Sequence, residues 1–285
     1  MSIRMALTVA YLHLNPRATQ TTDSLHKAVL ARTAAPEPPA SVRAIATIEN
    51  LEIGGFDVIR LTPHSGSTGT QLVYLHGGAY VFPLGSAHWK LIETLVAQTG
   101  ATVTVPKYGL APEYRADAAY ELLDAIYDRL TGPVFLVGDS AGGGLALGFA
   151  MRLRDTGRPA PAGVILISPW LDITMTNPGI AAIAPRDPIL AVPGLVEAGR
   201  WWAGARDTRD PLVSPALGSV GNLPPLHLYQ GGRDILAPDA IAFAKKAGAH
   251  LTLYPGAFHG FTRARWTPEA REAILGIQRV ITADG

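Results

Sequence analysis

From residue 56 onward, short apolar segments alternate with stretches that have the periodicity of amphipathic helices. The apolar segments are FDVIRL, QLVYLH, ATVTVP, VFLVG, GVILIS, LHLYQ and LTLYPG. The helical patterns include SAHWKLIETLVAQTG, RADAAYELLDAIYDRL, GGLALGFAMRLRDTG and, near the end, TPEAREAILGIQRVI. Alternation of this kind is typical of an α/β fold. We therefore predict a mostly parallel central sheet flanked by helices, with strands that are apolar nearly throughout.

Two segments fall outside this alternation. Residues 1–45 contain two helical patterns, MSIRMALTVAYLHLNPR and TTDSLHKAVLARTA, followed by the proline-rich joint APEPPASV. An interval at about 172–222 has too many prolines and glycines for one crossover, and it includes the helical stretch VPGLVEAGRWWAGA. We predict that residues 46–285 form the main domain, that residues 1–45 are the N-terminal helical part of a cap, and that the interval is a cap insertion.

Composition excludes several classes of protein. Of the 285 residues, 48% are hydrophobic and 16% are charged, which suits a large buried core. The net charge of +1 provides no long-range field for nucleic acid or an anionic membrane, so we expect neither partner. The chain has no cysteine, which excludes thiol catalysis, disulfides and cysteine-ligated metals.

The first residues resemble a weak secretory signal, because Arg4 precedes an apolar run. His13 interrupts that run, Pro16 and Arg17 end it, and no small-residue cleavage site follows. We therefore expect an amphipathic helix and a cytoplasmic protein, with a signal peptide as the alternative. No stretch reaches the length of a membrane span, so no stable membrane insertion is expected.

The segment VFLVGDSAGGGLAL places Ser140 between a predicted strand and a predicted helix. Gly138 and Gly142 flank it in the pattern G-x-S-x-G, which needs this strand–turn–helix context. Such a turn exposes the serine hydroxyl beyond the sheet, and the N–H of Ala141 then points to where negative charge would develop. The alternative is an ordinary turn of small residues.

A serine hydroxyl needs a base and an acid that orients the base. Asp234 follows one later strand in LHLYQGGRDIL, and His259 follows the next in LTLYPGAFHGF. The chain order Ser, Asp, His is the order expected in α/β-hydrolases. Asp239 is interpreted instead as a helix cap, and the alternative for His259 is a surface loop histidine.

An earlier loop provides candidates for further oxyanion donors. In VYLHGGAYVF, Gly77 and Gly78 follow a strand directly, and adjacent glycines let backbone N–H groups approach a substrate oxygen. The alternative is a plain glycine turn.

With these residues the sequence resembles the bacterial hormone-sensitive lipase family of α/β-hydrolase esterases. The motifs LHGGAY, YGLAPE, GDSAGGGLA, DPLVSP, GGRDIL and FHGF occur in the family's order. The resemblance implies a Ser140–His259–Asp234 triad, oxyanion-hole N–H groups from Gly77, Gly78 and Ala141, and a helical cap. Ala79 stands where the family has a third glycine. Gly109 stands where it commonly has an arginine, which implies that a side-chain anchor is missing.

These residues predict a carboxylesterase that hydrolyses short- to medium-chain acyl esters through an acyl-enzyme intermediate, with a small-molecule ester as partner and with no metal or cofactor. Tyr80, Phe82, Trp201 and Trp202 are candidates for lining the substrate pocket, although the tryptophans could instead anchor the cap. An amidase or deacetylase using the same groups stays open, as does a non-catalytic small-molecule receptor. A homodimer is possible.

Overall fold

An eight-stranded sheet forms the centre of the computed structural model, which describes residues 1–283. In the sheet the strands lie in the order β1-β2-β4-β3-β5-β6-β7-β8. In chain order they are β1 (Ala46–Ile53), β2 (Phe56–Pro63), β3 (Gln71–Leu75), β4 (Thr102–Pro106), β5 (Val134–Asp139), β6 (Gly163–Ile167), β7 (Leu226–Gly231) and β8 (His250–Tyr254). From β4 to β8 all neighbouring strands are parallel, as predicted.

Strand β1 was not predicted. It pairs antiparallel with β2 through a tight hairpin, and β2 also runs antiparallel to β4. The hairpin turn is Gly54–Gly55, and both glycines have positive φ, which a two-residue hairpin of this type requires. The segment TIENLEI conceals the strand because its many polar residues face solvent at the edge of the sheet.

Helices cover both faces of the sheet. Those of the main domain are α4 (Ser86–Thr99), α5 (Ala116–Tyr127), α6 (Ala141–Asp155), α9 (Ala237–Ala247) and α10 (Pro268–Ala283). Those of the two additional segments are α1 (Ile3–Leu12), α2 (Thr22–Leu30), α3 (Ala40–Arg43), α7 (Ile180–Ile183) and α8 (Val192–Ala203).

Strand β5 shows how the sheet separates two apolar cores. Val134 and Leu136 point into one core, together with side chains of α2, α5, α6, α8 and α9. Phe135 and Val137 point into the other, with side chains of α1, α4 and α10. Alternate residues of a strand face opposite sides, so a strand buried on both sides must be apolar throughout. The prediction of apolar strands is therefore correct at the centre.

The prediction of apolar strands is wrong at the edges of the sheet. In β8 four of the five residues are partly or fully exposed, and Leu253 keeps 41% of its surface accessible. An outermost strand has a neighbour on one side only, so its side chains are covered less. The possible homodimer stays a prediction.

The N-terminal helices contact different parts of the molecule. Helix α1 packs on α10, and the backbone N–H and the hydroxyl of Ser2 donate to Glu269 at 2.6 and 2.7 Å. Helix α2 packs on α8 of the 172–222 interval. The N–H of Gly194 in α8 donates to Thr19 O at 3.0 Å. The N-terminal segment and the interval are therefore joined, and the domain boundaries remain a prediction. No helix among residues 1–283 is long and apolar enough to cross a membrane.

Asp239 is not the N-cap of α9, because it lies in the first turn with Leu236 at the cap position. Its Oδ1 accepts a hydrogen bond from Asn177 Nδ2 at 2.7 Å, whereas the buried Oδ2 has no partner. Burial, together with the nearby charge of Asp172, raises the pKa of Asp239 to about 6 despite the bond from Asn177. The protein therefore holds an aspartate whose charged form is disfavoured by folding.

We predict that Asp239→Asn raises the melting temperature by more at pH 8 than at pH 5. A carboxyl group whose pKa is raised on folding contributes stability below its unfolded pKa and loses that contribution as pH rises through the folded value. The neutral amide escapes this loss. Thermal unfolding across pH 5–8 checks it, with Glu121→Gln on the exposed face of α5 as control. Equal shifts at both pH values would contradict the prediction.

Candidate active site

Ser140 occupies the turn between β5 and α6, where the G-x-S-x-G pattern places it. Its backbone has φ 53° and ψ −120°, a conformation that costs a residue with a side chain on the order of 1–3 kcal/mol. The N–H of Ser140 donates to Ile167 O at 2.9 Å, so the neighbouring strand β6 holds the turn. The strain is thus fixed by the sheet itself.

The two flanking glycines are required by close backbone contacts. A Cβ on Gly138 would overlap the carbonyl of Gly142, and a Cβ on Gly142 would overlap the carbonyl of Leu75 at the end of β3. Three backbone segments therefore meet at the serine with no room for side chains between them.

Asp234 and His259 are hydrogen bonded, with 2.9 Å between His259 Nδ1 and Asp234 Oδ2. Asp234 is fully buried, and it also accepts from Gln230 Nε2 and from the N–H of Leu236, each at 2.9 Å. These three donors fix the carboxylate. The bond to Nδ1 leaves His259 Nε2 as the ring nitrogen that faces away from Asp234.

Ser140 and His259 line the same cavity, because β5 and β8 both end at the carboxyl edge of the parallel sheet. Within the described part of the chain no hydrogen bond joins the two side chains. Bonds of this kind often form only when substrate binds. The structure thus brings the three residues that the sequence singled out to one cavity, and two of them, Asp234 and His259, are hydrogen bonded.

The loop after β3 has three consecutive residues in the left-handed region, Gly78 (φ 131°), Ala79 (φ 52°) and Tyr80 (φ 62°). Successive residues of this kind turn backbone N–H groups toward one side. Among residues 1–283, no hydrogen bond within the protein uses the N–H of Gly78 or Ala79. Both residues line the cavity.

The structure corrects the prediction that Gly77 is an oxyanion donor. The N–H of Gly77 donates to Asp139 Oδ1 at 3.0 Å inside the protein, so it is not available to a substrate. The next N–H in the loop without a partner among residues 1–283, besides that of Gly78, is that of Ala79. Ala141, at the first position of α6, has a free N–H within the part of the chain that the structure describes, and its role as an oxyanion donor stays a prediction.

Asp139, the residue before the serine, holds the glycine loop in place. Besides the bond from Gly77, it accepts the Tyr74 hydroxyl at 2.7 Å and lies 3.4 Å from His88 Nε2. Burial alone would raise the pKa of Asp139, but His88, Arg263 and the bond from Tyr74 hold it well below its usual range. Asp139 is therefore an anion that links the serine turn to the glycine loop.

The YGLAPE segment supports the same loop. Tyr108 OH donates to His76 O at 2.7 Å, and the N–H of Ala111 donates to Tyr80 O at 2.9 Å. Burial and the neighbouring His88 lower the pKa of His76 to about 4, so its ring is neutral when it stacks on Tyr108. The segment is thus anchored on both sides of the left-handed turn.

Arg32, just after α2, anchors the YGLAPE segment from another part of the chain. Its guanidinium donates to Val81 O at 2.9 Å and to Ala111 O at 2.8 Å, and it pairs with Glu113. Gly109 cannot carry a side chain, because a Cβ there would overlap the ring of Tyr114. An arginine from the N-terminal segment therefore joins the two loops.

Of the four aromatic residues predicted to line the pocket, Phe82 does so. Tyr80 and Trp202 are buried and stack on each other, with 4.1 Å between ring centroids and 1° between planes. Trp201 packs against the ring of His26 on α2. The prediction of a pocket-lining role is therefore wrong for Tyr80, Trp201 and Trp202. The stacking of Trp202 on Tyr80 joins helix α8 to the glycine loop of the main domain, and Trp201 joins α8 to α2.

The cavity has a volume of about 280 Å³. Its lining includes apolar side chains that the sequence did not indicate, among them Leu12, Ile189 and Leu190, and two cationic ones, Arg17 and Arg263. No motif marks these residues, because they come from the end of α1 and the chain after it, from the interval before α8 and from the segment after His259.

Asp187 is a further buried residue that the sequence did not indicate. Its carboxylate accepts from the N–H groups of Ile189, Leu190 and Ile235, each at 2.8 Å, and so bridges the interval to the loop of Asp234. Burial and the neighbouring charge of Asp234 raise the pKa of Asp187 to about 6. Across residues 1–283, His, Asp and Glu side chains do not form a group of three that could hold a metal ion.

Comparisons with known proteins agree with this arrangement. A family model described as "alpha/beta hydrolase fold" matches residues 72–263. An acetyl-hydrolase of Streptomyces hygroscopicus is 36% identical over 221 residues, which cover 72% of this chain and 73% of that protein. An esterase of Acinetobacter venetianus is 31% identical over 232 residues, covering 76% of each. The crystal structure of an esterase from the bacterial hormone-sensitive lipase family is 26% identical and superposes with a TM-score of 0.82, covering 100% of this chain and 99% of that one.

The chain therefore belongs to the α/β-hydrolase fold family and, within it, to the esterases that resemble hormone-sensitive lipase. The predicted family, fold and enzyme class are confirmed.

We predict that Trp202→Ala lowers the free energy of unfolding by about 3–5 kcal/mol, the usual cost of removing a fully buried large aromatic side chain. Chemical denaturation measures the loss. Trp201→Ala is the matched control, since its partly buried ring should cost less. Equal small losses in both variants would contradict the buried stack.

Proposed function

We propose that this esterase works through a Ser140–His259–Asp234 triad and hydrolyses short- to medium-chain acyl esters by way of an acyl-enzyme intermediate. The hydrogen bond between Asp234 and His259, at the cavity that Ser140 lines, carries the proposal. The membership of the family supports the reaction class.

In the proposed reaction, Ser140 Oγ attacks the ester carbonyl while His259 Nε2 takes its proton. Asp234 holds the imidazole in the tautomer with the proton on Nδ1 and stabilises the imidazolium cation. His259 then protonates the leaving alcohol, and the acyl group stays on Ser140. A water molecule activated by His259 releases the acid and regenerates the serine.

The free N–H groups of Gly78, Ala79 and Ala141 would stabilise the oxyanion. Their positions are fixed before substrate arrives, by Asp139 on one side and by the YGLAPE segment on the other. Preorganised donors of this kind act on the charge that develops in the transition state, and each typically contributes about 2.7–4 kcal/mol. The left-handed backbone at Ala79 favours glycine, the residue that the family has there, and the alanine adopts this conformation at a steric cost.

The size and lining of the cavity support small acyl groups. Its volume of about 280 Å³ is just below the roughly 300–1,000 Å³ that is usual for ligand pockets. Leu12, Phe82, Ile189 and Leu190 provide apolar contacts for an acyl chain. A chain longer than the cavity would leave these contacts and gain no further binding.

We predict that Ser140→Ala abolishes hydrolysis of p-nitrophenyl butyrate and leaves the circular dichroism spectrum unchanged. The alanine removes the nucleophile and keeps the turn. Ser86→Ala, at the exposed start of α4, is the control and should keep wild-type turnover. Wild-type rates in Ser140→Ala would refute the proposed nucleophile.

For p-nitrophenyl esters from acetate to palmitate, we predict the highest kcat/KM at short to medium length and a value at least about tenfold lower for palmitate. Phe82→Ala should shift the optimum to longer chains because it enlarges the cavity, whereas Trp201→Ala should leave it unchanged. Fastest turnover on palmitate would contradict the predicted chain length.

A further inference from the structure

Two guanidinium groups line a cavity whose walls are otherwise largely apolar. Arg17 follows α1, and Arg263 lies four residues beyond His259. A substrate with only apolar parts would make no favourable polar contact with either guanidinium group. The one carboxylate among the lining residues is that of Asp139. That carboxylate is engaged inside the protein by Tyr74 and Gly77.

The guanidinium of Arg263 is held beside the catalytic histidine. Its Nε donates to Gly260 O at 3.2 Å, and the group lies so close over the Cα of Gly260 that a Cβ there would overlap it. Gly260 itself has positive φ, and its N–H donates to Ser168 Oγ at 3.1 Å. The guanidinium is therefore fixed in position by the same loop that carries His259.

The two Nη atoms of Arg263 remain free for a ligand. They have no hydrogen-bond partner within residues 1–283, and no carboxylate of these residues forms an ion pair with Arg263. Arg17 likewise forms no ion pair with a carboxylate of residues 1–283. Its Nη1 donates instead to the backbone carbonyls of Asp187 and Leu190. Two guanidinium groups without a carboxylate partner in the described part of the chain therefore line the cavity, and the amino end of α6 adds a partial positive charge.

We propose that this cavity selects esters that carry a carboxylate, and that the free Nη atoms of Arg263 bind that carboxylate. The proposal rests on the proposed esterase function and names its substrate class. A guanidinium offers two parallel N–H donors that match the two oxygens of a carboxylate, and the pairing is strong where water is scarce. Arg17, which also lines the cavity, adds long-range attraction.

The alternative is that Arg263 only balances the buried charge of Asp139. Its field reaches that carboxylate, although the two groups form no ion pair. Loss of such a structural charge would impair neutral and anionic substrates alike. The two roles are therefore separated by the ratio of kcat/KM values for matched substrates, which a structural defect does not change.

The experiment compares two matched pairs of esters. In the first pair the charge is on the acyl side: 4-nitrophenyl hydrogen glutarate and its methyl ester. In the second it is on the alcohol side: 4-acetoxybenzoate and its methyl ester. We expect Arg263→Gln to lower the anionic-to-neutral ratio of kcat/KM about tenfold or more in at least one pair, relative to the wild type. Arg263→Lys, which keeps the charge, should recover part of the ratio.

Arg265→Gln is the matched control. This arginine lies two residues further on, is exposed, and donates to Lys90 O and Thr94 Oγ1 outside the cavity. Its replacement should leave both ratios unchanged. Unchanged ratios in Arg263→Gln, or an equal loss on anionic and neutral esters, would overturn the proposal.

A binding measurement separates this proposal from the proposed function. Titration calorimetry of Ser140→Ala with monomethyl glutarate and with dimethyl glutarate needs no turnover. We expect tighter binding of the monoanion and loss of that preference in Ser140→Ala/Arg263→Gln. Equal binding of the two ligands to Ser140→Ala would refute carboxylate recognition, even if the enzyme hydrolyses neutral esters. A preference for the monoanion would support it, even if the esterase mechanism failed.

Discussion

The close approach of three backbone segments around Ser140 is the constraint on which the rest of the site depends. Gly138, Gly142 and the end of β3 leave no space for side chains, and the serine is forced into a left-handed conformation that β6 holds through Ile167. Because the sheet supplies the restoring contacts, the hydroxyl is held out over the cavity without any support from the substrate. The cost of one unfavourable residue is small beside the packing of two apolar cores around it.

The buried negative charge of Asp139 also holds the site together. Asp139 connects the serine turn to the glycine loop by accepting a hydrogen bond from the N–H of Gly77. Because of this bond, the N–H of Gly77 is not free, unlike those of the residues that follow it. The anion is buried, yet Tyr74, His88 and Arg263 keep it ionised. The same carboxylate therefore engages the N–H of Gly77, whereas the N–H groups of the next two residues remain free within the described part of the chain.

Ser140, Asp234 and His259 could be found from the sequence because each follows a strand, and local patterns report local geometry. Which glycine N–H is free could not be found, because it depends on Asp139, which lies 62 residues from Gly77 in the chain. The stacking of Trp202 on Tyr80 was equally hidden, since an aromatic residue suits a pocket wall and a buried joint alike. Strand β1 was missed because its polar residues face solvent, and Arg17, Arg32 and Arg263 lie in no motif that distinguishes them from surface arginines.

Asp187 connects the N-terminal segment that lines the cavity to the loop that carries Asp234. Its backbone carbonyl receives Arg17 from the N-terminal segment, and its carboxylate receives the N–H of Ile235, the residue after Asp234. A substitution at Asp187 would therefore act both on the segment that covers the cavity and on the peptide next to Asp234, so the sequence of the cap and the position of that carboxylate are structurally linked.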